Sequence, residues 1–496
     1  MSSIFKSTSA NILLSINNKN VMVQPKTFLC VCLMAFTFLC FNTSRAQFFS
    51  SDSTVYAIGD VKDGMRQGKW QIYDSTDTKI EEGEYNENKR VGVWLIFYPN
   101  QTTRVKISFD KGTPTNYTEY YPTQQIKTRG KFKNGKKDGK WTNYFISGEI
   151  RTVDMYENDK KNGESEAFNI YGERIAAINY KNDTLNGKYK EYNEFGYVFI
   201  EGNYLEGEKE GKWLENYNIG RKAKEEHYKK GVPDGTWKEF YRNGDLKAEK
   251  HYSKGVPSDV WKEFHQNEEL AEIVYYKNGW KDSVYLSYHP NTKLKTQGWY
   301  KNGVRVKNWR YFNNTGYVVE EGSFLNDKQH GQWFYYYDDG KLKSIGSFIN
   351  GLEDGLWGLF HNNGKLMQEE TWQNGKLMNL SPYYTSTGKE LDAGTLKDGS
   401  GLKINYYSSG KKEIECQFKN GVPNGKWTYY FENNDLAEQG KFVDGLREGD
   451  WIYYYQGGKN ESKGKYSKGI KSGVWRYYYK NGRLREQIDH DKEQPN

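Results

Sequence analysis

One short pattern of apolar, polar and glycine positions recurs along most of this chain. With Trp70 as the first anchor, equivalent positions fall at Trp94, Tyr117, Trp141, Ser165, Tyr189, Trp213, Trp237, Trp261, Tyr285, Trp309, Trp333, Trp357, Ser381, Lys403, Trp427, Trp451 and Trp475. Fifteen of the seventeen steps are 24 residues long, the mark of a repeat array rather than of several globular domains. Three positions after the anchor an aromatic recurs in seventeen of eighteen repeats, Asn216 being the exception. Seven after it comes Gly in twelve repeats, as at Gly148, Gly244 and Gly340; fifteen after it stands another aromatic, as at Tyr156, Tyr204 and Phe348. A second glycine-containing turn follows, such as Lys133-Asn134-Gly135. Each repeat therefore reads as strand, tight turn, strand, looser turn. Proline is scarce and is expected in turns at Pro233, Pro257 and Pro423.

A strand period of two puts the anchor and the ring three positions later on opposite faces, so both faces carry rings. A lone hairpin is marginal in water, and each must lean on its neighbours. The expected fold is all-β: an elongated, solenoid-like array of about eighteen antiparallel β-hairpin repeats forming a continuous twisted sheet. Composition agrees, because 15 Trp, 42 Tyr and 24 Phe make burial mainly a matter of rings with polar handles.

The first 46 residues carry four basic and no acidic side chains. Lys26, the apolar run Thr27 to Phe41, and small residues at Ser44 and Ala46 read as a secretion signal cleaved before Gln47. The run is too short for an easy bilayer span, so no stable transmembrane segment is expected after cleavage. The expected organisation is a leader over 1–46, with the signal over 22–46, a short segment over 47–59, the array over 60–490 and a tail over 491–496. Only Cys416 remains beyond the leader, so no disulfide staples the array. The formal charge falls from +8 to +4 on cleavage, and Lys and Glu are interspersed, which gives no nucleic-acid footprint.

Catalytic and metal chemistry find no pattern. His265, His289 and His361 stand four after the anchor and His227 and His251 fourteen after, a repeat-spaced surface ladder with no third ligand recurring. Gly64-x-x-x-Gly68-Lys69-Trp70 resembles a phosphate loop but lacks one spacer and the Ser or Thr that would bind magnesium. No catalytic residue, cofactor or metal is expected. Two features break the rhythm. Residues 375–403 lose the anchor aromatic twice and gain Gly394, Gly399 and Gly401, as a worn or bent repeat would. Trp280, Trp299 and Trp372 lie off the anchor register: exposed, they are candidate binding platforms; packed on a neighbouring hairpin, they are core.

The spacing Gly-x-[Tyr/Phe]-x-x-Gly-x-x-x-Gly-x-Trp, seen from Gly130 to Trp141 and from Gly440 to Trp451, resembles the MORN repeat in its bacterial variant form over about 60 to 490. That resemblance implies a single-layer antiparallel sheet used as a scaffold or binding surface, with no shared catalytic residues; some relatives are described as antitoxin components. Gly331 to Leu342 is also similar to choline- and glucan-binding cell-wall repeats, whose Gly-Trp pair occurs here as Gly279-Trp280 and Gly298-Trp299. The functional expectation is an exported, non-catalytic scaffold, periplasmic or on the cell surface, that binds a protein or envelope component. A carbohydrate- or choline-binding surface module and an immunity-like partner of a toxin are the alternatives.

Overall fold

The computed structural model describes residues 44–49 and 55–492; the expected leader lies outside them except for its last three residues, which open the strand Ser44–Phe49. Every regular element among the described residues is a strand, and no helix there is long and apolar enough to cross a membrane. The chain divides into two compact units, Met1–Asp234 and Gly235–Asn496. In the first, successive strands from Ser44–Phe49 to Lys222–Lys229 pair antiparallel. In the second, strands from Gly235–Phe240 to Lys376–Leu380 do so, followed by a two-residue ladder, Tyr383–Tyr384 with Glu390–Leu391, and a sheet from Gly401–Tyr406 to Leu484–Asp489. The all-β hairpin repeat expected from the periodicity is the observed fold.

The turns reverse one expectation. Asn134 and Gly135, at φ 52° and 77°, are the whole link between Ile126–Lys133 and Lys136–Tyr144. Two consecutive positive φ values mark a type I′ hairpin, whose twist matches that of the strands it joins. The tight turn is therefore the second, and the turn after the anchor is the longer one: Phe145 N–H donates to Glu149 O at 2.8 Å and Gly148 N–H to Phe145 O at 2.9 Å, with Gly148 at φ 98°. Six repeats without Gly at that point hold the same conformation, Asp77, Gln101, Gln124, Glu268, Thr292 and Asn434 lying at φ 59° to 69°. A third positive φ stands two residues before the anchor, at Gly139, where the ladder shifts register by a bulge. The phosphate-loop-like stretch from Gly64 to Trp70 is this same pairing of I′ turn and bulge, with Gly64 at φ 75° and Gly68 at φ 64°.

The core is a single layer of rings on the anchor face. Anchors alternate edge to face with the ring fifteen positions on: Trp70–Tyr85 at 5.7 Å and Tyr85–Trp94 at 4.9 Å, and again Trp333–Phe348 at 6.1 Å and Phe348–Trp357 at 5.2 Å. Each such pair contributes about 0.5–1.5 kcal/mol beyond its area. Nine anchor tryptophans are buried, Trp70, Trp94, Trp141, Trp213, Trp309, Trp333, Trp357, Trp451 and Trp475. All nine lie flat on a glycine eleven residues earlier, such as Gly322 beneath Trp333, where any Cβ would fall inside the indole. A cation four residues before the anchor covers the other side of several rings, Arg90 at 4.1 Å over Trp94 and Lys471 at 4.2 Å over Trp475. The indole N–H usually donates to the carbonyl ten residues earlier, as from Trp333 to Ser323 at 3.0 Å. Another ring, two after the anchor, stacks on the same face at Tyr311, Tyr335, Tyr453 and Tyr477. The rings three after the anchor occupy the reverse face as expected, Tyr336 donating its hydroxyl to Glu321 at 2.7 Å.

Three anchors depart together. Trp237, Trp261 and Trp427 have Glu226, Lys250 and Cys416 in place of the glycine, have Pro233, Pro257 and Pro423 in place of the covering cation, and are only half-buried. These prolines sit in strands and not in turns, one residue past the I′ turn, at Val232–Pro233, Val256–Phe264 and Val422–Tyr430.

The ladder is interrupted where the rhythm breaks. Lys403, in an anchor position, places Nζ 2.6 Å from Glu370 Oε1 while Trp372 Nε1 donates to Glu370 Oε2 at 3.0 Å, so a buried ion pair stands where an indole would. Leu377, Tyr383, Leu396 and Ile404 fill the remaining space. Backbone bonds from Leu377 N–H to Gly421 O at 3.0 Å and from Gly399 N–H to Met378 O at 2.8 Å stitch the stretch together.

Two outcomes follow from this packing. Gly322→Ala is expected to cost about 1–3 kcal/mol, since the indole of Trp333 must lift, and Thr292→Gly to add about 1 kcal/mol by relieving a β-branched residue at φ 67°. Urea unfolding, with hydrogen exchange in Val318–Leu325 as the local readout, checks both; an unchanged Gly322→Ala protein removes the glycine seat from the account. Burial also pushes the phenols of Tyr156 and Tyr335 up to about 12, against about 10 when unfolded. A raised acid keeps its stabilising neutral form below the unfolded pKa, so this stability is complete below about pH 10 and is lost as pH climbs towards about 12. The melting temperature should fall over that window together with late phenolate absorbance; a melting temperature flat to pH 12 contradicts it.

Candidate functional site

On the anchor face glycine lies beneath each buried indole and, in many repeats, a cation lies above it. Chemistry there is muted. Burial pushes the Cys416 thiol up to about 12, so it stays protonated near neutrality. Burial raises the Glu81 carboxyl against the pull of Arg90, 2.6 Å away. The histidines four after the anchor form rungs: His265 Nε2 meets Tyr288 O at 3.0 Å, His289 Nε2 meets Phe312 O at 2.9 Å and His361 Nε2 meets Tyr384 O at 2.7 Å. These are three of the five histidines expected in a surface ladder, and His361 is buried and not on the surface; His251 instead meets Thr236 Oγ1 at 3.2 Å. Among the described residues no group of three His, Cys, Asp or Glu could hold a metal ion.

The reverse face is different. Its centre line is set by the residue before the anchor and its cross-strand partner fourteen after the anchor. These pairs are polar through most of the chain, as Lys69↔Glu84, Lys188↔Asn203, Asn308↔Ser323 and Asp450↔Lys465. Two successive repeats instead carry Val260↔Tyr275 and Val284↔Trp299, and Trp299 pairs on its other side with Val306. The bulge at Ser283, φ 84°, lies opposite Tyr275 and brings Val284 onto its row. Strand alternation puts Trp280, paired with Lys277, on this same face at the turn end. The result is an apolar strip over strands Val256–Phe264 to Val304–Phe312, about 19 Å across at the usual strand spacing.

Trp280, Tyr275 and Trp299 are 62%, 40% and 37% exposed. Trp280 rests one edge on Gly303, whose Cβ position lies 2.8 Å from the ring, and leaves its other side open. Lys307, the bulge residue of the next strand at φ 58°, holds Nζ 4.5 Å over Trp299. Trp372 does not join them. It stands fifteen after Trp357, in the second-ring position, and packs against the cluster of Trp309, Trp333 and Trp357. The +15 spacing already in the sequence could have assigned it to the core. Tyr275 is one of 42 tyrosines, and only its position, fourteen after an anchor, sets it apart.

A family model described as MORN repeat variant matches residues 233–254, 260–278, 329–350, 353–374, 400–420, 423–444 and 471–492. No curated protein matches. Among solved structures, a crystal structure of TcdB2-TccC3-Cdc42 is 10% identical, covering 90% of this chain and 30% of that chain, with a TM-score of 0.13. A Photorhabdus luminescens Tc holotoxin pore is 9% identical, covering 87% and 30%, with a TM-score of 0.12. This chain spans about a third of the length of those chains. MORN repeats are a non-catalytic repeat type, and their seven matches fall on the hairpins described above: the chain belongs to the MORN repeat variant family.

Proposed function

We propose that this chain is an exported, non-catalytic scaffold whose reverse face engages a protein partner in the cell envelope, with Tyr275, Trp280 and Trp299 at the centre of contact. The observation that carries the reading is the run of exposed Tyr275, Trp280 and Trp299 beside Val260 and Val284 in two successive repeats, where most repeats carry polar pairs on the centre line. Large rings ringed by polar groups are where binding energy concentrates. Lys277 and Lys307 border the strip and favour a partner with carboxylates at its rim. Export rests on the apolar run Thr27 to Phe41 and the small residues Ser44 and Ala46. The absence of catalysis rests on the protonated, buried Cys416 and on the capture of His265, His289 and His361 as backbone rungs.

A protein is favoured over a sugar because Val284 lies between Tyr275 and Trp299, and Val260 and Val306 flank them. A sugar subsite would set hydroxyl-matching groups there.

A photo-crosslinking residue placed at position 299 should capture one dominant protein in cells, and Trp280→Ala should reduce the yield at least about tenfold, the loss of about 1.4 kcal/mol. The same probe at Asn308, on the polar part of the face, should capture little. Equal capture at both positions, or retention of the protein on immobilised glycan lost with Trp280→Ala, overturns the proposal.

A further inference from the structure

The hairpin tips after the anchors form a row along one sheet edge, and the two central tip residues are polar, glycine or proline in most repeats: Ser75-Thr76, Pro99-Asn100, Asp338-Asp339, Gln456-Gly457. Four consecutive tips in the first unit differ. They present Ile146, then Ile170 and Tyr171, then Phe195, then Ile219, all 55–80% exposed. The tips are rigid: Gly148, Gly172, Gly196 and Gly220 N–H each donate to the first tip carbonyl at 2.8–3.1 Å, and Asn193 Nδ2 ties the third tip to Asn218 O of the fourth at 2.8 Å. Exposed Ile and Phe on preordered backbone lose little entropy on binding.

We infer that this row is a second docking surface, independent of the aromatic strip, and that its occupant is an amphipathic α-helix of a partner protein with an apolar residue in each heptad and basic flanks. Spacing comes first. Consecutive tips are two strands apart, about 9.6 Å, and seven helical residues rise about 10.5 Å. Four tips and three heptads therefore keep step over about 30 Å with a drift near 3 Å. Charge comes second. Three of the four tips bear a carboxylate, Glu149, Glu173 and Glu194, while the nearby Arg174 and Lys222 are held by Glu166 at 2.6 Å and Glu225 at 3.2 Å; Arg221 ends the row and Arg151 lies 5.9 Å from the Phe145 ring. One basic side chain per heptad complements the carboxylates, and an anionic bilayer is opposed by them. Area comes third. A row about 30 Å long and one sheet-thickness of about 10 Å wide gives two apposed copies about 600 Å², half of what a stable dimer buries.

The test titrates the full chain into a labelled 28-residue peptide with Leu once per heptad and four positions later, Lys on the flanks, against a scrambled peptide of the same composition. Saturable binding, weakened at least about tenfold by combined Ile146→Ser, Ile170→Ser, Phe195→Ser and Ile219→Ser and left unchanged by Trp280→Ala with Trp299→Ala, supports the inference. These tip side chains are solvent-exposed, so the melting temperature should hold and show that the variant folds. Four outcomes overturn it: no binding, equal binding of the scrambled peptide, a dimer by sedimentation that the tip variant dissociates, or co-sedimentation with phosphatidylglycerol vesicles that the tip variant abolishes. None of these bears on the strip at Trp299, whose crosslink stands or falls by itself.

Discussion

An indole lying flat on a glycine of the neighbouring strand is the contact on which the rest of this structure depends. A single-layer sheet has no second layer to bury its side chains against, so each large ring must be buried by backbone, by the next ring and by whatever reaches over it. The glycine lets Trp333 lie down on Gly322 and makes the layer thin; the edge-to-face partner at Phe348 seals its side. With an alanine there the ring must stand up, lose its contact with the strand and expose itself to water. The arrangement repeats because the indole spans two strands and so ties one hairpin to the next, which is how a hairpin too weak to fold alone becomes stable in series.

The exceptions obey the same logic. Trp261 and Trp427 have Lys250 and Cys416 where the glycine seat would be and Pro257 and Pro423 four before the anchor, and both rings come part-way out. At Lys403 the ring disappears altogether and an ammonium pairs with Glu370 in the space. Breaking that pair by removing one partner would leave a buried charge, a greater cost than the pair's own worth.

Much of this was legible before any coordinates. The 24-residue period, the two ring-bearing faces, the rings fifteen after the anchor and the histidine ladder all follow from spacing alone. The three glycines between Gly130 and Trp141 were visible too, but their separate tasks were not: Gly130 seats the ring, Gly135 closes the I′ turn at φ 77° and Gly139 makes the bulge at φ 70°. A letter G does not say which of these it does, and that is why the tight and loose turns were exchanged. The ring two after the anchor hid behind the more regular one three after. For the site, Trp280 and Trp299 stand off every ring register of the repeat, whereas Trp372 fits the register fifteen after the anchor and packs with the core.

A repeat whose core consumes the same positions every 24 residues leaves function to the positions it does not use, the reverse-face centre line and the hairpin tips. Those positions cost the fold little, so they drift to the polar residues that keep a sheet soluble unless something holds them otherwise. Two adjacent repeats with Val and an aromatic on the centre line, and four adjacent tips with Ile, Tyr or Phe, are departures that the packing does not require. Adjacency matters more than hydrophobicity here: scattered exposed apolar side chains are ordinary on any protein, whereas a contiguous run at equivalent positions builds one surface. The deviation from the repeat, and not the repeat, is where a partner is specified.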